Sequence, residues 1–125
     1  MDVSTHEREG VVIARLGGKL SAGVGDRQLH DLIDRLLGEN RKQILLELSN
    51  VSGIDSSGVG ELVAGLRVAR ELGAELKILK APEKVHRILD LTQVLPLFDV
   101  HEEEDAAVAA FGGTDPSGTT GKAVR

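Results

Sequence analysis

The first cluster of apolar positions, Val11-Val12-Ile13-Ala14-Arg15-Leu16, is a short β-branched run that stops at Gly17-Gly18 and predicts a strand. Before it, residues 3–7 give a weaker strand signal that pairs with the first through a turn at Arg8-Glu9-Gly10. Over residues 26–37 the period changes. Leu29, Leu32, Ile33, Leu36 and Leu37 form one helical stripe, with Gly38 as its stop. Residues 43–48 include the nearly continuous apolar run Ile44-Leu45-Leu46-Glu47-Leu48, the pattern of a central strand covered on both faces. Helical spacing returns at Val59, Leu62, Val63 and Leu66, predicting a helix from Ser57 to Leu72 that ends at Gly73.

Residues 75–80 alternate partly and read as another strand, and Pro82 suits the first turn of a short helix carrying Val85, Ile88 and Leu89. Residues 97–100 read as a last strand. Glu102-Glu103-Glu104-Asp105 then open a final helix, as a solvated acidic start that complements the helix dipole, and Phe111 closes it. The order β-β-α-β-α-β-α-β-α predicts an α/β domain with a mixed, mostly parallel sheet built from right-handed βαβ units. Residues 112–125 are rich in Gly, Thr and Ser with almost nothing to bury, so they are expected to be a disordered tail behind a single domain at 1–111.

Composition narrows the function. A chain of 125 residues holds one domain with a core, and only two phenylalanines represent the aromatics, so the core is aliphatic and stacking platforms for bases are lacking. A net charge of −5 argues against nucleic acid or an anionic membrane as partner. No cysteine is present, which removes disulfides and thiol chemistry. The polar N-terminus is no signal peptide and no apolar run has the ~20 residues of a membrane helix. A cytoplasmic protein without membrane insertion is expected.

The candidate chemistry lies in Val51-Ser52-Gly53-Ile54-Asp55-Ser56-Ser57-Gly58-Val59-Gly60, a polar turn between a strand and a helix. Ser56 and Ser57 sit where backbone N–H groups are unpaired and the dipole is positive. Two readings follow from spacing alone: helix capping, or a place for an anion such as a phosphate. A serine nucleophile is disfavoured, because the nucleophile elbow needs Gly two residues before and after the serine. Ser56 has Ile54 and Gly58, and Ser57 has Asp55 and Val59. His6, His30, His86 and His101 show no metal spacing and read as surface or boundary residues. Gly17-Gly18, Gly23 and Gly25 lack the Gly-Lys-Ser/Thr of a phosphate loop and read as a strand end and a flexible helix entry. No cofactor is called for, and the chain does not read as an enzyme.

Asp55-Ser56-Ser57-Gly58-Val59-Gly60, entered from a strand and leaving into a helix, resembles the signature of STAS domains. More narrowly, it resembles the anti-sigma factor antagonists. The resemblance covers about residues 3–111 and implies the element order above. It implies that bare Ser56 belongs to a surface that binds an anti-sigma factor serine kinase, with Asp55, Ser57, Gly58, Val59, Gly60 and Ser21 as further partner-binding positions. The kinase would phosphorylate Ser56 with ATP and a phosphatase would reset it, so sigma-dependent transcription is controlled indirectly. One departure stands out: Gly18-Lys19-Leu20-Ser21 occupies the place where the family usually has Gly-Glu-Leu-Asp. The alternative is a STAS interaction subunit of a lipid-transport complex, with no phosphate cycle.

Overall fold

The computed structural model describes residues 1–112; the expected tail lies outside them except for Gly112. Strand β1 (Asp2–Arg8) turns through Glu9 and Gly10, both at positive φ, into β2 (Val11–Leu20). Positive φ at both positions gives a two-residue turn whose twist matches antiparallel partners. Helix α1 (Gly25–Gly38), β3 (Gln43–Ile54), α2 (Ser56–Glu71), β4 (Glu75–Leu79), α3 (Glu83–Leu91), a short 3-10 turn (Leu95–Leu97), β5 (Val100–His101) and α4 (Glu104–Ala109) follow. The sheet order is β1-β2-β3-β4-β5, antiparallel at the first pair and parallel thereafter.

Helices α1, α2 and α3 all pack on one face of the sheet. Leu29, Leu36, Leu62, Leu66 and Leu89 meet Val12, Leu46, Leu48 and Ile78 there. Helix α4 covers part of the other face, where Val11, Ile13, Leu45 and Leu79 pack with Ala107, Val108 and Phe111. The middle strand is therefore buried on both sides, as its unbroken apolar run requires.

Several boundaries differ from the sequence expectation. Strand β2 does not stop at Gly17-Gly18, because their backbones pair with Asn50 and Val51 of β3 and carry the ladder to Leu20. Strand β3 correspondingly runs through the polar stretch 49–54, with register shifts that put an extra residue on its side twice. Ladder pairing outweighs the turn preference of Ser49, Asn50, Ser52 and Gly53. The expected strand at 97–100 is a 3-10 turn containing Pro96 followed by a two-residue strand. Proline has no N–H to give a ladder, while Phe98 turns inward at 7% exposure. The acidic start of α4 is also more than solvated: Arg8 reaches Glu104 at 2.9 Å and Asp105 at 2.6 Å, tying α4 to the first strand. Gly25 is buried, which corrects its reading as flexible entry: a Cβ would strike the Lys19 carbonyl oxygen, so the glycine permits close packing.

Candidate functional site

The parallel strands β2 and β3 end side by side, and the loops leaving them form one rim. At that rim Asp55 has extended backbone (φ −118°, ψ −173°) and caps α2. One carboxylate oxygen accepts the Gly58 N–H at 3.1 Å, and the other accepts the Ala22 N–H at 2.9 Å from the loop after β2. The Asp55 N–H donates to the Leu20 carbonyl at 3.2 Å. These bonds staple the β2–α1 loop to the start of α2. The N–H groups of Ala22 first, and of Gly58 next, hold the Asp55 carboxyl below the usual carboxylate range, so it is ionised at neutral pH.

Ser56 is the first residue of α2 and is exposed. Its hydroxyl has no hydrogen-bond partner among the described residues, because Asp55 performs the capping. Ser57 is half-buried and its N–H also points at the Asp55 carboxylate. Gly60 is exposed with open space at its Cβ position. Ser21 is half-buried across the staple, its carbonyl accepting the Asp26 N–H at 3.0 Å. The structure thus brings Ser21, Asp55, Ser56, Ser57 and Gly60 to one rim.

Gly58 and Val59 are placed differently, with their side-chain positions turned inward. A Cβ on Gly58 would collide with the Leu20 carbonyl oxygen and the Ile54 side chain, and Val59 is 7% exposed in the core. As side chains they seat the helix at the base of this rim.

Sequence reasoning missed the surface that α3 adds. Gly53, Ile54, Lys84, Arg87 and Ile88 line a shallow groove of about 250 Å³ beside the Asp55–Ser56 turn. Lys19 lies next to Gly53 in the strand register. The available signal was the one-turn spacing of Lys84 and Arg87 on the exposed face of a helix whose inward stripe was already legible.

No described histidine joins a metal cluster, since no group of three or more His, Cys, Asp or Glu among the described residues is arranged to hold a metal ion. His30 instead meets Glu61 at 3.1 Å between α1 and α2. No described helix is long and apolar enough to cross a membrane.

Known proteins share this fold. An anti-sigma F factor antagonist of Paenibacillus polymyxa is 24% identical over 104 residues, covering 83% of this chain and 89% of that protein. A crystal structure of a putative anti-sigma factor antagonist from Thermotoga maritima superposes with a TM-score of 0.79 at 24% identity, over 86% of this chain and 92% of that one. The Bacillus cell fate determinant SpoIIAA in its phosphorylated form gives 0.67 at 18% identity, over 86% and 97% of the two chains. Residues 2–107 match the STAS domain pattern, and on that match over most of its length the chain belongs to the STAS domain family.

Proposed function

We propose that this protein is an anti-sigma factor antagonist, with residues 1–111 as the switch module. With Ser56 bare it binds an anti-sigma factor that is also a serine kinase, and so frees a sigma factor for transcription. The kinase then transfers phosphate from ATP: the Ser56 Oγ–phosphorus bond forms and the bond from the γ-phosphorus to ADP breaks. The serine proton passes to a base on the kinase. A phosphatase returns the phosphate to water. The antagonist is a substrate and a binding module in this cycle, and supplies no catalysis of its own.

The observation that carries the reading is the division of labour between Asp55 and Ser56. Asp55 takes the cap, leaving an exposed serine hydroxyl with no partner among the described residues at a stapled rim. A cap made by Ser56 would have tied up the very oxygen that a kinase needs. The relatives named anti-sigma factor antagonists support the same role.

The test is incubation of the purified chain with the anti-sigma factor kinases of its source bacterium and Mg-ATP, followed by peptide mass spectrometry. One phosphate on Ser56 is expected, and Ser56→Ala should abolish it. Phosphate on Ser57 alone, or none with any kinase alongside stable capture by transporter ATPase subunits, would overturn the proposal in favour of a docking subunit.

A further inference from the structure

The chain is acidic overall, yet the ground beside the switch turn is cationic. Lys84 and Arg87 stand one turn apart on α3 and line the groove with Gly53, Ile54 and Ile88; no acid lines it. Both cations are exposed. Lys84 forms no ion pair with any described residue, and Arg87 has only the exposed Glu83 at 3.4 Å on its own helix. An exposed i,i+4 pair of that length holds its arginine weakly. These charges therefore do little for the fold, and a cationic rim on a chain of net charge −5 is a local feature rather than a consequence of composition.

We propose that Lys84 and Arg87 form a docking rim for an acidic surface of the partner protein, reading carboxylates next to the switch serine. The proposal rests on the antagonist reading and adds the chemistry of the partner's contact. The occupant is set by charge complementarity: a groove with an apolar floor of Ile54 and Ile88 and a cationic border takes Asp or Glu side chains around a small apolar contact. The same arrangement explains release. A phosphate on Ser56 brings a charge of about −1.5 to −2 to the edge of this rim. It faces the partner's carboxylates and offsets the cations that attracted them. Asp55 already takes the cap, accepting from the Gly58 and Ser57 N–H groups, so the phosphate is left facing the interface.

Two measurements decide it, and each can fail separately from the antagonist reading. In the first, the ¹⁵N-labelled chain is titrated with a capped peptide of six glutamates and followed by NMR. Weak binding is expected, with shifts centred on Gly53, Ile54, Lys84, Arg87 and Ile88. It should fade as salt rises, and Lys84→Glu/Arg87→Glu should remove it. Shifts elsewhere, or none, would overturn the rim even if Ser56 is phosphorylated as proposed. In the second, the kinase that phosphorylates Ser56 is bound to wild type and Lys84→Glu/Arg87→Glu over a range of salt. Affinity should drop by about tenfold or more in the double variant at low salt, with a flatter salt dependence. Unchanged affinity and salt slope, with circular dichroism showing a folded variant, would overturn the proposal.

Discussion

Ser56 sits one residue past an aspartate that already satisfies the helix end, which decides how a charge there acts. Phosphate at a vacant N-terminus would dock on the free N–H groups and stabilise the helix. Here the Asp55 carboxylate holds the N–H groups of Gly58 and Ala22, so the effect of a phosphate falls on the partner. Two like charges about 4 Å apart cost roughly 1–4 kcal/mol between bulk water and a protein surface. That is about fivefold to a thousandfold in affinity. Ser56→Asp is therefore expected to melt like wild type and to bind the anti-sigma factor at least about fivefold more weakly by calorimetry. Ser56→Ala should bind normally and stay bound when ATP is added. Asp55→Ala removes the cap and the staple together. Its melting temperature should fall, and amide exchange at Ala22 and Gly58 should speed up; unchanged exchange at Ala22 would show that the loop is held by something other than this carboxylate.

At the scale of elements, the site depends on how tightly two helices start against the end of β2. A Cβ on Gly58 would meet the Leu20 carbonyl, which is backbone and has little freedom to move. Gly58→Ala should cost about 1–3 kcal/mol by overpacking, visible in urea unfolding, and should shift the Ala22 amide resonance as the loop is pushed aside. Leu46 and Leu62 are fully buried on the middle strand and the inner face of α2. Either changed to Ala should cost about 2–5 kcal/mol, and a Leu62→Ala protein that stayed fully stable would contradict its core position. The elements themselves were legible in the sequence because Leu29, Leu32, Ile33 and Leu36, or Ile44 to Leu48, carry an unambiguous period. The Asp55-Ser56 turn was legible too, since its residues are those a strand-to-helix junction uses. The strand extension through Ser49–Ile54 was not, because it exists only by pairing with Gly17–Leu20, a long-range partnership that polar residues do not announce. The cations of α3 were hidden for the same reason: Lys84 and Arg87 look like an ordinary solvated helix face until the fold sets them beside Gly53.

Across the whole molecule, ion pairs tie α4 to the sheet, and β2 to β3, on the face that α4 only partly covers. Arg8 holds α4 through Glu104 and Asp105, while Arg15 meets the buried Glu47 at 3.4 Å. Farther along, Lys77 is 7% exposed, lies under the Phe111 ring and reaches Asp99 at 2.5 Å. The Lys77 hydrogen bond holds the Asp99 carboxyl below its ordinary range, and Asp55 is shifted the same way by backbone N–H groups. A carboxyl whose folded pKa is depressed binds protons more readily in the unfolded chain. Its stabilisation is present above the unfolded value of about 3.9 and is lost as pH falls through the folded one. Urea midpoints should accordingly change little from about pH 8 to pH 5 through these two groups and fall below about pH 4. Lys77→Met isolates one contribution: it keeps the packing under Phe111 but returns Asp99 toward an ordinary carboxyl. The variant should lose stability at neutral pH, and its decline below about pH 4 should be shallower than that of wild type. If the two acid limbs ran parallel, the Lys77–Asp99 pair would not couple proton uptake to unfolding, and the acid response of the fold through these two groups would rest on Asp55 alone.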